Sequence, residues 1–271
     1  MPALACDCHA HIFSGSTKAR LITPRTYTPS PAPLDSYRKM LDTLGIARGV
    51  IVQPSVYGTD NSVTLAAVAQ AGEAFRAVVV VDDSVTLSEL QALHHKGARG
   101  ARVNLLFASD ARVDDLTGLT HKLAEMDWHL QLLVNLADIP DIEALVRQLP
   151  VPVVFDHLGH VPAPEGIRSE GFQALLHLLS DEKAWVKLSG AYRLTDAHDV
   201  AYPDVAPLAR ALVASNPEHL VWGSDWPHPH ITGPMPNDGD LIDLLADWVS
   251  DDGQLNRILV TNPARLYGFS T

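Results

Sequence analysis

The chain has 271 residues, 46% of them hydrophobic, and its 20 basic against 32 acidic side chains leave a formal net charge of −12. That acidity repels nucleic-acid backbones and anionic lipid surfaces, and excludes both as expected partners. Cys6 and Cys8, two apart on one expected strand, offer no disulfide framework, and no apolar run is long enough for a membrane span or a signal peptide, so a cytoplasmic protein is expected.

The first expected strand covers 5–12 and carries His9 and His11. Residues two apart on a strand share a face, so both imidazoles project together. A loop over 14–33, with Tyr27 in it, leads to a helix through Tyr37, Met40, Leu41 and Leu44, which follow the i, i+3, i+4, i+7 pattern. Next come a strand over 49–54 with Ser55 just beyond it, a helix over 63–70, a strand over 77–81 and a helix over 88–95. The strand over 100–104 holds Arg102, and a helix over 116–126, a strand over 130–134 and a helix over 142–148 follow. The strand over 153–157 ends on His157, and a helix over 171–179 leads to the strand over 186–189, with Arg193 shortly after it. A helix over 206–214 and the strand over 220–224 bring the chain to Asp225, a loop over 226–239 and a helix through Leu241, Leu244, Leu245 and Trp248.

The strands are rich in Val, Leu and Ile with little alternation, as strands buried on both faces should be. Strands that alternate with helices from end to end predict an α/β protein, a (β/α)8 TIM barrel occupying 1–271 as one domain. A doubly wound open sheet would want a Gly-x-Gly-x-x-Gly after its first strand, and there is none. The long connections follow strands 1, 6, 7 and 8, on the face where barrels carry active sites. Trp185, Trp222 and Trp248 are expected in the core. His228, His230 and the aspartates of 238–252 are expected to be solvated, with the two histidines in a position to gate the mouth.

On a barrel, His9, His11, His157 and Asp225 converge on one mouth. A carboxylate with several imidazoles suits hydrolysis: the carboxylate takes a proton from water, while the imidazoles orient that water or polarise a carbonyl. His9, His11 and Asp225 would also form a ligand set for a single divalent ion such as zinc.

At these residues the chain resembles the amidohydrolase superfamily. The resemblance rests on His-Ala-His at 9–11, Asp-His-Leu-Gly at 156–159, Gly-Ser-Asp-Trp-Pro-His-Pro at 223–229 and the closing Asn-Pro-Ala-Arg-Leu-Tyr-Gly at 262–268. Within the superfamily it is most similar to the branch of 2-pyrone-4,6-dicarboxylate lactonase and related sugar-lactone and muconolactone enzymes, and Pro-Met-Pro-Asn-Asp-Gly at 234–239 fits that branch. Strand 4 offers Arg102-Val103-Asn104 and strand 5 offers Gln131-Leu132-Leu133-Val134, so the bridging ligand of a binuclear metal centre is missing. The resemblance implies a hydrolase that opens a small anionic lactone and requires no metal. It assigns Asp225 as general base, His9, His11 and His157 to polarise the carbonyl, and Tyr27, Ser55, Arg102 and Arg193 to bind the substrate. His160 and Leu133 stand where the dicarboxylate lactonase has an arginine and a tyrosine, a departure that bears on the substrate more than on the reaction. A lactone isomerase or decarboxylase on the same barrel is the alternative, and a homo-oligomer is compatible with the sequence.

Overall fold

The computed structural model describes residues 1–15, 21–106, 116–139, 141–197, 201–231 and 233–270. Parallel strands β1 (Cys6–Ala10), β2 (Arg48–Val52), β3 (Phe75–Val79), β4 (Ala98–Asn104), β5 (His129–Leu133), β6 (Val153–Phe155), β7 (Ala184–Leu188) and β8 (Leu220–Trp222) pair in sequence order. Between and after them run α1 (Leu34–Leu44), α2 (Ser62–Ala71), α3 (Leu87–His95), α4 (Leu116–Ala124), α5 (Ile142–Gln148), α6 (Glu170–Ser180), α7 (Ala206–Ser215) and α8 (Asp238–Trp248). This is the expected (β/α)8 barrel, and each strand boundary lies within two residues of its expected place. Parts of two expected loops, 16–20 and 232, lie outside the described residues. The chain ends in three elements that periodicity did not indicate: α9 (Asp252–Asn256), a π-helical turn (Arg257–Thr261) and α10 (Asn262–Tyr267). Among the described residues no helix is long and apolar enough to cross a membrane.

Two apolar layers hold the barrel. The larger lies between sheet and helices, and Trp222 and Trp248 belong to it. The smaller fills the barrel's interior, where Cys6, Cys8, Val50, Val52, Val78, Val154 and Val221 pack on Trp185, Tyr267 and Phe269. Both cysteines are free and buried.

Strand β1 carries one irregularity on which the site depends. Asp7 pairs with Gly49 and Ala10 with Ile51, so three steps along β1 oppose two along β2. This β-bulge changes the parity of the strand. In a regular strand, inward Cys6 and Cys8 would force His9 and His11 outward. With the extra residue, Cys8 faces the interior cluster and His9 does too, against Lys187 and Asp156.

The Asp7 carboxylate holds the bulge. Its Oδ1 accepts the backbone N–H groups of His9 at 3.0 Å and Ser224 at 2.9 Å. Its Oδ2 accepts the hydroxyls of Tyr37 at 2.9 Å and Ser224 at 2.5 Å. Burial pushes this carboxyl up to about 6, against the pull of those bonds, so it is ionised at neutral pH and acts only as an acceptor. The same bonds tie β1 to the end of β8, where Asp225 N donates to His9 O at 2.8 Å and His11 N to Trp226 O at 2.7 Å. The two segments run so close that a Cβ on Gly223 would stand 2.6 Å from that of His9.

Asp7→Asn leaves one acceptor oxygen where four donors converge. At about 1.5–3 kcal/mol for each bond to a charged group, the variant is expected to lose roughly 3 kcal/mol or more in urea unfolding. Unchanged stability would show that the clamp does not hold the bulge.

Candidate active site

The floor of the barrel mouth is built from strand ends. His11 stands just past β1, His157 two residues past β6 and Asp225 three past β8. His157 and Asp225 both adopt the left-handed backbone region, at φ 51° and 64°, as does His228 at 58°. Such conformations are strained for non-glycine residues and cluster where structure serves chemistry. They turn the side chains inward where the strands would have carried them on.

His9 Nε2 lies 3.2 Å from His11 Nε2, and each lies 3.7 Å from Asp225 Oδ1. His157 Nε2 lies 3.9 Å from Asp225 Oδ2. All four side chains are buried, and Asp225 Oδ1 takes no hydrogen bond. Oδ2 is fully committed, accepting Tyr192 Oη and Arg193 Nε, each at 2.6 Å. Burial would raise the Asp225 carboxyl, but Arg193, then His157, His9 and His11, hold it well below the usual carboxylate range. Burial also lowers His9, His11 and His157 from the ordinary imidazole value.

Hydrogen-bond accounting then fixes one tautomer. The Val52 carbonyl lies 2.8 Å from His11 Nδ1 and can only accept, so Nδ1 carries the proton and Nε2 presents a lone pair. In its neutral form His11 is therefore an acceptor at the mouth. It can take a hydrogen bond from water, or bind a metal.

Behind the mouth lies a buried charged cluster. Asp156 Oδ2 accepts Arg102 Nε and Gln131 Nε2, each at 3.0 Å. Lys187 Nζ donates to Gln131 Oε1 at 2.7 Å and to Cys8 O at 3.0 Å. Burial would raise Asp156, but His9, Lys187 and Arg102 hold it well below its ordinary value. Asp156, Lys187, Gln131 and Tyr192 had no role in the sequence reading. The available signal was a lysine and a glutamine at the centres of otherwise apolar strands.

Above the floor opens a cleft. His11, Tyr27, Ser55, Arg102, His157, Arg193 and Asp225 all line it, together with Leu133 and His160. His9 lies beneath it, with none of its surface exposed. Tyr27 stacks on His230 at 5.6 Å, and its hydroxyl is pushed up to about 12 by burial against the pull of Arg102 and Ser55. Arg102 and Arg193 reach the cleft with Nε already bound to a carboxylate, and Arg193 Nη2 also donates to the Pro229 carbonyl at 2.9 Å, which leaves the remaining terminal N–H groups for a ligand. His228 is buried rather than solvated: Nδ1 lies 2.9 Å from Tyr192 Oη, and Nε2 is 3.2 Å from Asp238 Oδ1, in ion-pair range though not aligned as a hydrogen bond. Asp238 thus belongs to the shell of the site and not to a solvated helix face.

The ligand atoms of His9, His157 and Asp225 lie within 4.8 Å of one another, so His157 joins the metal-ligand set expected from sequence. An unbonded, buried carboxylate oxygen facing imidazole nitrogens is a donor set that suits zinc.

The amidohydrolase family matches residues 6–269. A 4-sulfomuconolactone hydrolase from Hydrogenophaga intermedia is 39% identical over 275 residues, covering 99% of this chain and 90% of the relative. A D-galactarolactone isomerase from Agrobacterium fabrum is 33% identical, covering 89% of this chain and 82% of the relative. A crystal structure from Pseudomonas putida, assigned as a 2-pyrone-4,6-dicarboxylic acid hydrolase, superposes with a TM-score of 0.88 at 32% identity and covers 100% of both chains.

Arg193→Met removes the charge that most favours ionised Asp225. The carboxyl should rise towards the ordinary carboxylate value. If Asp225 must be ionised for turnover, the acid limb of the kcat/KM profile moves to higher pH. An unmoved limb would separate Arg193 from the reacting carboxylate.

Proposed function

The chain belongs to the amidohydrolase family, and on that premise we propose that it hydrolyses a small carboxylated lactone, with Asp225 as the general base. The observation that carries this reading is the unbonded Asp225 Oδ1, 3.7 Å from both His9 Nε2 and His11 Nε2, on the floor of a cleft whose walls hold two arginines. The relatedness to a lactone hydrolase and a lactone isomerase supports the substrate class.

The terminal nitrogens of Arg102 and Arg193 would bind the substrate carboxylate, since a planar fork suits that anion. Ser55 and Tyr27 would orient the ring from the opposite wall. Water would sit between Asp225 Oδ1 and His11 Nε2, both of which accept its protons. As the water oxygen forms its bond to the lactone carbon, one proton passes to Asp225. Imidazole N–H groups of His9 and His157 would stabilise the oxyanion. Collapse breaks the bond from the carbonyl carbon to the ring oxygen, and Asp225 returns its proton to that leaving oxygen. Tyr192 and Arg193 keep Asp225 oriented throughout.

His9, His11, His157 and Asp225 would hold a divalent ion if the enzyme uses one. Such an ion polarises a carbonyl and acidifies water when bound.

A second reading, lactone isomerisation, is favoured by the similarity to the galactarolactone isomerase. There another hydroxyl of the same molecule would attack the lactone carbonyl in place of water, giving its proton to Asp225, and the original ring oxygen would leave and take that proton back as a hydroxyl.

The test is a panel of carboxylated and sulfonated lactones, assayed by NMR for ring-opened acid, with and without a strong chelator. Accumulating acid supports hydrolysis. A new lactone without net water uptake supports isomerisation, and turnover of no lactone overturns the reading. Asp225→Asn is expected to keep the fold and lower kcat by about 10²–10⁴-fold; retained turnover removes Asp225 as the base.

A further inference from the structure

Beside the cleft lies a second hollow. The two share Leu106, His160, Arg193 and His230, which therefore form the sill between them. Beyond the sill the walls change character. Ile231, Pro234 and Met235 come from the loop between β8 and α8, and Tyr202 from the segment before α7. Tyr202 is buried, whereas Met235 is 63% exposed. The other large apolar side chains left exposed among the described residues are Met1, Leu4, Ile22 and Leu87, and none of them lines the cleft or the hollow.

The charges beyond the sill are acidic. Among the described residues that line the hollow, Arg193 is the one arginine or lysine, and it already donates Nε to Asp225 and Nη2 to the Pro229 carbonyl. Asp196 lines the hollow, and Thr195 beside it donates its hydroxyl to Asp204. Asp240 lies close enough to Tyr202 to add to burial in raising its hydroxyl. An anion placed there would give up water for acidic neighbours, with no basic group free to pair with it. An apolar group would lose little and gain contact with Met235 and Ile231. A thioether on a flexible stem adapts its shape to such a ligand.

We propose that the hollow is a subsite for an uncharged, apolar arm of the substrate: the lactone presents its carboxylate to the two arginines and carries, on another ring atom, an alkyl or aryl substituent that crosses the sill and packs on Met235 and Ile231. The inference rests on the lactone reading and narrows it to substrates with a single anionic end. Met235 then determines specificity without touching the reacting atoms, and its exposed surface is covered when the arm is bound. A second carboxylate on that arm is disfavoured by Asp196, and a substrate without an arm leaves the hollow to water.

The test uses tetrahydrofuran-2-carboxylate, which keeps a five-membered ring and a carboxylate but has no lactone carbonyl to attack. Its 5-position bears hydrogen, propyl or carboxyethyl, and each ring is titrated into the enzyme by calorimetry. A buried CH2 is worth roughly fourfold in affinity, so a partly covered propyl arm should tighten binding about tenfold, while the carboxyethyl arm gives no gain. Met235→Lys, at a position too exposed to threaten the fold, places an ammonium in the hollow and should reverse the order of the two arms. Equal binding of the propyl and unsubstituted rings overturns the proposal. So does tighter binding of the carboxyethyl ring by the wild type, or an order that Met235→Lys leaves unmoved. Each of these results leaves lactone hydrolysis standing, because the arm preference is read from binding alone, whereas turnover of no lactone removes the activity. Failure of all three rings to bind also overturns the subsite.

Discussion

A buried carboxylate at Asp7 sets the geometry of the mouth. It accepts from the backbone of β1, from the backbone and hydroxyl of Ser224, and from Tyr37 on α1. One charge thus fixes a bulge, closes the barrel between its first and last strands, and joins both to a helix. The bulge lets Cys8 seal the apolar interior while the next residue, His9, points into the same space as a polar group. Without the change in parity, the barrel would have either a sealed interior or an inward histidine pair at that level, but not both.

The site buries many charges, and its stability depends on their pairing. Asp156 faces Arg102 and Lys187, and Asp225 faces Arg193. Buried pairs seldom add net stability, because desolvation offsets attraction, yet removing one partner is strongly destabilising. The network is therefore better understood as a device for orientation. It holds the Asp225 carboxyl well below the usual carboxylate range and leaves one of its oxygens unbonded. The local balance also explains how a chain of net charge −12 can attract an anion: the arginines line the cleft, while the surplus acids lie elsewhere.

The barrel was legible because its strands are short apolar runs separated by amphipathic helices, and burial on both faces leaves that trace in composition. The mouth was legible because His9, His11, His157 and Asp225 fall where apolar strands stop. Tyr27, Ser55, Arg102 and Arg193 also reach the cleft, although the free valence of each arginine depends on carboxylates that spacing does not reveal. Other features left weaker traces. The bulge depends on the pairing of Asp7 with Gly49 and of Ala10 with Ile51, far apart in sequence, so alternation along β1 gives no hint of it. Lys187 and Gln131 sit at inward positions of apolar strands and look like interruptions until their partners are known. His228 and Asp238 read as solvent-facing in a proline-rich loop and an acidic helix start, and only the fold brings His228 between Tyr192 and Asp238.

The side chains that could coordinate a metal do not by themselves make a metal site. An imidazole offers a lone pair at the nitrogen opposite its proton, and the partner behind the ring places that proton. For His11 the partner is a carbonyl, so the front nitrogen is always an acceptor. For His9 the nitrogen behind the mouth meets an amine and a carboxylate, each 3.3 Å away. Asp156 is also the anchor of Arg102, a wall of the cleft. The floor and the wall of the cleft therefore share one buried carboxylate, which sequence shows only as the residue before a histidine.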